Sequence, residues 1–348
     1  MSSIQFALLA ASLAAPAAAS DWPQWQGPNR DAQSPATGLL QKWPEGGPKL
    51  LFKTDKLGAG YGSPAVVGGR LVVLGAEDPA EATKEFVLCL DAGTGKEIWK
   101  APIETSDGSY LYGWGSGPRS TPTIDGDMVY VLGARGDLVC LTFKDGKKVW
   151  SKNLVTDLGG GIPNWGYSES VLIDGDRLVC TPGGNKGTMA SLDKKTGEVK
   201  WRSDGLTDAA AYSSIVVTNG GGHRQYVTQT PQSVCGVRAD DGKLLWRRTD
   251  LKYAIAVIPT PVVYKDYVFI TSGYGAGCGL VKLSQDGDGG KADKVYTSKV
   301  ITNHHGGVVR VGEYIYGHSD TEGWVCLEFL KSAGEDGPKP AWTSKKLG

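Results

Sequence analysis

Short runs of apolar residues, broken by glycine and aspartate, recur along the chain from about residue 50 onward. Ser63-Pro64-Ala65-Val66-Val67-Gly68-Gly69-Arg70-Leu71-Val72-Val73-Leu74 reads as two β-rich runs flanking a Gly-Gly turn. Thr121-Pro122-Thr123-Ile124-Asp125-Gly126-Asp127-Met128-Val129-Tyr130-Val131-Leu132 repeats the pattern around Asp-Gly. Two β-rich runs around so short a turn predict a hairpin, because the turn needs positive φ and glycine adopts it freely. A second hairpin follows each of these. In Val87-Leu88-Cys89-Leu90-Asp91-Ala92-Gly93-Thr94-Gly95-Lys96-Glu97-Ile98-Trp99 an apolar strand runs into Asp91, turns at Gly95 and ends at Trp99. Each unit is thus predicted to be four antiparallel strands, here lettered A to D. Helical periodicity is absent after the N-terminal segment.

The units repeat. Trp99, Trp150 and Trp201 are 51 residues apart, and Trp246 follows 45 residues later. Tyr296 and Trp342 fill the fifth and sixth positions. Six repeats of roughly fifty residues reconcile the 348-residue length with one domain, and radially repeated four-stranded sheets make a β-propeller. The 50 glycines and 11 tryptophans fit many short strands joined by tight turns. Lys+Arg and Asp+Glu number 37 each, so nothing favours capture of nucleic acid. After the first twenty residues no apolar run is long enough to span a membrane.

Residues 1–19 carry an apolar stretch ending in Ala17-Ala18-Ala19 before the polar Asp21, the pattern of a signal peptide. Export to the periplasm or outside the cell is the expectation. Residues 20–48 then form an N-terminal extension and 49–348 the propeller. Cys89, Cys140 and Cys326 hold one repeat position, so they lie in different blades and too far apart to bridge. With no CxxC present, the six cysteines are expected to be buried thiols, and no metal site is expected from ligand spacing.

The Asp-x-x-Thr-Gly-x-x-x-Trp pattern is complete at Asp91, Thr94, Gly95, Trp99 and at Asp193, Thr196, Gly197, Trp201. It is degenerate at Thr142, Asp145, Gly146, Trp150 and at Arg238, Asp241, Gly242, Trp246, and insertions interrupt it before Tyr296 and Trp342. It resembles the tryptophan-docking motif of the quinoprotein dehydrogenase-like propellers. That superfamily includes pyrroloquinoline quinone (PQQ) alcohol dehydrogenases and the outer-membrane assembly lipoprotein of the β-barrel machine. Trp22-Pro23-Gln24-Trp25-Gln26-Gly27-Pro28-Asn29-Arg30-Asp31 is similar to the opening of secreted PQQ-like repeat proteins. The resemblance implies an all-β propeller, usually of eight blades. Lys49-Leu50-Leu51-Phe52-Lys53 places Phe52 where a strand-D tryptophan would stand, and reads as an outer strand without its own A, B and C. The expectation is a C-terminally incomplete ring, short of about two blades.

In this fold, ligands approach the D-to-A and B-to-C loops. The D-to-A loops bring Tyr61, Trp114, Arg119, Trp165, Tyr167, Glu169, Tyr212, His304 and His305 toward one funnel, and the B-to-C loops add Tyr274, His318 and Asp320. Alternatives stand beside several of these. Trp165 and Tyr167 could simply cover blade tops, and Arg119 could pair with Glu169. Adjacent His304 and His305 would point to opposite faces of a strand. Asp286-Gly287-Asp288-Gly289-Gly290 lacks the glycine and glutamate of an EF-hand and reads as an acidic hairpin. No GxSxG, HExxH or Walker loop is present. The leading reading is an exported binding module whose funnel takes a small molecule or an exported or envelope protein. The alternative, implied by the resemblance alone, is a PQQ- and calcium-dependent oxidoreductase of alcohols or sugars. There Arg119 and Trp165 would clamp the quinone, and Glu169, or more distantly Asp320, would be calcium ligand or base. A third reading, an accessory of polysaccharide breakdown, rests only on the aromatic platforms.

Overall fold

The computed structural model describes residues 20–78, 84–104, 106–111, 113–253, 255–330 and 338–346. The expected signal peptide, 1–19, lies outside them. Six four-stranded antiparallel sheets follow one another along the chain, each with its strands in simple A-B-C-D order. The blades occupy residues 65–102, 123–153, 172–202, 216–248, 262–298 and 308–344. The one helical element among the described residues is a 3-10 turn, Gly220–Gly222. Apolar side chains pack between neighbouring blades. Val72, Val87 and Trp99 of the first meet Val129 and Val139 of the second, and the contact recurs around the molecule. All six cysteines are buried and unpaired.

The repeated tryptophan is aimed by a bulge. In the first blade Trp99 faces Cys89 while Glu97 faces Leu90, so Ile98 is an extra residue in strand D. The same one-residue shift precedes Trp150, Trp201, Trp246 and Tyr296. A bulge re-aims the side chains beyond it. It leaves Ile98 and Val149 exposed and turns each tryptophan onto the next blade. There the indole N–H of Trp99 donates to Phe143 O at 3.1 Å, that of Trp150 to Lys194 O at 3.0 Å, and that of Trp201 to Ala239 O at 3.1 Å. Each acceptor lies three residues before a turn glycine on which the ring rests. Gly146 and Gly197 hold φ of 70° and 73°, and a Cβ there would fall 2.6 and 2.8 Å from the docked indole. Both the left-handed backbone and the lack of space therefore require glycine. In the complete motif the Asp91 carboxylate accepts from the N–H groups of Gly93 (3.1 Å) and Thr94 (2.8 Å) and from the Thr94 hydroxyl (2.7 Å). These bonds hold it below the usual carboxylate range. The degenerate copies keep the turn by other means: Thr142 bonds Asp145, and Arg238 pairs with Asp241 and with Asp288 of the acidic hairpin.

The outer strand expected at Lys49–Lys53 does not form. The segment has no ladder partner, and Leu50 and Leu51 are exposed. Phe52 nevertheless rests against Gly95, in the place an indole takes at Gly146 and Gly197.

The N-terminal extension crosses the inner edges of the A strands as a strap. Trp22 pairs with Val66 of the first blade through two backbone bonds of 2.7 and 2.8 Å. Pro23 O accepts from Ile124 of the second at 2.8 Å. Arg30 then reaches the loops ahead of the third and fourth A strands, donating to Val171 O at 3.1 Å, Ser170 O at 2.5 Å and Ile215 O at 2.7 Å. Burial pulls this guanidinium down to about 10, partly offset by the charge of Glu169.

Candidate functional site

A cavity of about 620 Å³ opens among the D-to-A loops. Tyr61, Trp114, Arg119, Trp165, Tyr212, His304 and His305 all line it, together with Tyr274 from a B-to-C loop. The N-terminal strap supplies Trp25, whose indole N–H donates to Thr260 at 3.3 Å. Gln24 and Gln26 line a second cavity of about 400 Å³ with Arg30 and the A strands of the third to sixth blades. The strap therefore stands between two cavities, with Trp25 lining the first and its neighbours Gln24 and Gln26 the second.

Hydroxyl residues placed just before strand A stitch the cavity wall together. Ser170 Oγ accepts from Thr121 N at 2.9 Å, Ser214 Oγ from Ser170 N at 3.0 Å, and Thr260 Oγ1 from Ser214 N at 3.3 Å. Above them Trp165 and Tyr212 meet with ring centroids 5.7 Å apart, and the Tyr212 hydroxyl accepts from Trp165 N at 3.4 Å. Arg119 donates to Gly115 O at 2.8 Å and to the carbonyls of Gly117 and Trp165 at 3.1 Å, with its charge 5.3 Å from the centre of the Tyr61 ring. Much of its fork of donors is thus spent on holding loops. Across the cavity the His304 ring packs 4.4 Å from Tyr274 and stacks 4.0 Å from His305. Burial and the neighbouring His304 pull the His305 imidazole below its ordinary value. Ala256 and Tyr274, both on the cavity wall, have φ of 45° and 54°. A left-handed conformation costs a non-glycine residue about 1–2 kcal/mol, so the surrounding contacts hold these loops against a local preference.

Several sequence expectations change here. Tyr167 is fully buried outside the cavity, and its hydroxyl donates to Pro182 O at 2.8 Å within the packing between the second and third blades. Glu169 is also buried away from the cavity lining and accepts from Thr181 N at 2.9 Å. Its nearby cation is Arg30, and Arg119 is bound to carbonyls, so the expected Arg119–Glu169 pair is not made. Both corrections follow from the chain's course after Gly166, whose φ is 80°: beyond it Ser168 and Ser170 face the cavity, and Tyr167 and Glu169 turn away from it into buried surroundings. His318 and Asp320 are exposed and outside the cavity lining, and His318 packs edge-on against Trp324. His304 and His305 do not point to opposite faces, because residues 301–307 form a loop and not a strand. Sequence reasoning missed Trp25 and the hydroxyl series. The signal for the series was present as Thr121, Ser170, Ser214 and Thr260 at one repeat position.

The lining carries no carboxylate. Calcium demands six to eight oxygen ligands, usually including carboxylates. No group of three or more metal-ligating side chains occurs among the described residues. With Glu169 and Asp320 elsewhere, the residues of the funnel do not fit a calcium-bound quinone.

Blade order, the repeated indole-to-glycine docking and a funnel among the D-to-A loops define a β-propeller of the PQQ-like repeat class. The chain belongs to the family described as outer membrane protein assembly factor BamB (PQQ_2), whose model matches residues 83–331. It is 25% identical over 187 residues to the outer membrane protein assembly factor BamB of Kangiella koreensis, across 52% of this chain and 42% of that protein. To the BamB of Alkalilimnicola ehrlichii it is 24% identical over 164 residues, across 47% of this chain and 37% of that one. The chain thus spans about two-fifths of the length of these curated relatives. The crystal structure of BamB from Moraxella catarrhalis superposes with a TM-score of 0.50 at 15% identity, covering 81% of this chain and 72% of that chain. A europium-containing methanol dehydrogenase superposes with a TM-score of 0.51 at 12% identity, covering 84% and 79%. At such identities the likeness is one of fold.

Proposed function

We propose that the chain is a protein-binding module of the cell envelope, exported to the periplasm or beyond, that receives a partner protein at the aromatic mouth of its funnel. The observation that carries this reading is Trp114, 83% exposed at the rim of the cavity, with Tyr61 and Tyr274 exposed beside it. Exposed apolar patches mark interaction sites or ligand grooves, and Trp and Tyr are enriched among the residues that dominate binding at protein interfaces. Membership of a family described as an outer membrane assembly factor supports a protein partner, and the signal-peptide pattern supports export. The oxidoreductase alternative is disfavoured by the missing carboxylates. A polysaccharide role is disfavoured because the lining also lacks Asn and Gln, the other side chains that commonly read sugar hydroxyls.

The test places a photo-crosslinking residue at Trp114 and, as a control, at Val149 on an outer strand, in the exporting cell. The reading expects one envelope protein to be crosslinked from position 114 and not from 149, with loss of the adduct in a Tyr61→Ala background. Equal labelling from both positions overturns it. So does dye-linked alcohol oxidation by the purified protein supplied with PQQ and calcium.

A further inference from the structure

The second cavity is walled by strand edges. In the first blade the A–B hairpin closes at Val67 and Arg70, so Val66, one residue earlier, turns its N–H and C=O away from strand B. Both groups bond to Trp22 of the strap. In the second blade the hairpin closes at Asp125 and Met128, and Ile124 N donates to Pro23 O. The same register recurs at Asp174–Arg177, Tyr264–Tyr267 and Val311–Tyr314. It aims the N–H and C=O of Ile173, Val263 and Arg310 toward the inner edge in the same way. All three residues line the second cavity, and among the described residues no backbone group pairs with them there.

The charged side chains around this cavity are already engaged. The Asp31 carboxylate accepts from the backbone and side-chain N–H groups of Gln33 at 3.1 and 3.3 Å. Arg30 is spent on the carbonyls ahead of the third and fourth A strands. Arg310 donates to Gly312 O at 2.5 Å, with its charge 3.9 Å from the centre of the Tyr264 ring. What remains is neutral. The carboxamides of Gln24, Gln26 and Asn29 join apolar Leu172, Val216 and Val262 in the lining. Gln24 Oε1 is buried without a hydrogen-bond partner among the described residues. Gln26, Arg30 and Ala32 hold φ of 58°, 55° and 57°. Left-handed backbone in non-glycine residues clusters at sites whose shape the surrounding structure enforces.

A carboxamide and a strand edge both set a donor beside an acceptor, which is the complement of a peptide group. Strand edges take extended chain, and the strap already shows this at Val66. We infer that the second cavity, separate from the funnel, binds a short extended peptide with neutral side chains from a partner protein, whose backbone bridges to the inner edges at Val263 and Arg310 as Trp22 bridges to Val66.

The experiment follows backbone amide exchange, residue by residue, by nuclear magnetic resonance on the full chain. Without peptide, the amides of Val263 and Arg310 should exchange faster than those of Val66 and Ile124, which donate to the strap. The probe is N-acetylated, C-amidated Thr-Val-Thr-Val, which is uncharged and favours extended backbone. At millimolar concentration it should slow exchange at Val263 and Arg310 several-fold, and its fully N-methylated form, with the same side chains and no backbone N–H, should not. Equal slowing by the two forms overturns the inference, because side chains alone would then carry the contact. Slowing by maltose and not by the peptide makes the cavity a sugar site and also overturns it. So does an absence of slowing with any probe. Slow exchange that appears without peptide as the protein is concentrated means that a second copy fills the cavity, and equally overturns it.

Discussion

Replacing Trp150 by Ala tests whether the indole-to-glycine contact is what joins one blade to the next. Trp150 is 9% exposed and packs with Tyr130, Leu138 and Leu178 across two blades. A buried tryptophan removes roughly 150–250 Å² from water. At about 25 cal/mol per Å² that area is worth on the order of 4–6 kcal/mol as an upper bound. Measured truncations of large aromatics cost about 3–5 kcal/mol. The lost N–H bond to Lys194 O, of about 1 kcal/mol, belongs within that range. With about 2.1 cal/mol/K of unfolding entropy per residue and roughly 300 folded residues, each kcal/mol shifts the melting temperature by about 1.6 °C. Trp150→Ala should therefore lower it by about 5–8 °C and lower the urea midpoint in proportion. Trp342→Ala, with nearly half its surface already in water and no indole bond, should lower it by less than about 2 °C. The assay is thermal and urea unfolding followed by far-ultraviolet circular dichroism, with slopes compared so that only cooperative transitions are used. Equal shifts in the two variants would refute the reasoning.

Two further outcomes follow from the strap and the buried carboxyls. Arg30→Met removes the donors serving Ser170, Val171 and Ile215, each left carbonyl costing about 1–3 kcal/mol where water cannot replace the bond. Limited proteolysis should then cut within residues 21–33 well before the blades unfold, and an unchanged digestion pattern would contradict the latching role. Burial pushes the carboxyls of Glu169 and Glu85 up to about 7, opposed at Glu169 by the Thr181 bonds and the charge of Arg30. Between the unfolded value near 4.5 and about 7 the folded state then holds protons that the unfolded chain has released, so stability falls as pH rises through that window. Glu169→Gln should make this decline shallower between pH 5 and 8, and parallel urea midpoints for wild type and variant would contradict it.

The strands were legible because a half-buried strand and a tight turn leave marks in single residues. Alternation around Gly68-Gly69 or Asp125-Gly126 needs no knowledge of the rest of the molecule. The 51-residue spacing of three tryptophans then supplied the architecture. The bulges were not legible, because an extra residue such as Ile98 looks like any other strand residue until its partner Leu90 is known to pair with Glu97. The site was legible in part. Tyr61, Trp114, Arg119, Trp165, Tyr212 and both histidines gather as loop assignment alone required. Tyr167 and Glu169 failed because they alternate with the lining residues Ser168 and Ser170 after the chain turns at Gly166, and a loop sequence does not say which way each residue turns. Phe52 shows a different limit. Its place in the repeat was readable from spacing, but the strand expected around it is missing, since docking on Gly95 needs a ring and no ladder.

The strap changes what kind of site the funnel can be. Without residues 21–33 the cavity would lose Trp25 from its lining, and the A strands would lose the segment that bonds across them. Trp25 gives the cavity an aromatic end, held by Thr260, and Thr260 is also the last hydroxyl of the series that ties the wall together. The same short segment is fixed at one end by pairing with Val66 and at the other by Arg30. On the proposed reading, a side chain entering past Trp114 would meet a preformed surface whose position depends on contacts to five blades at once. Preformed apolar pockets of this sort give affinity by avoiding the entropy of ordering on binding. Specificity would then lie in the rim, where Arg119, Tyr274 and the stacked histidines can differ between related propellers without disturbing the docking motif that builds the blades.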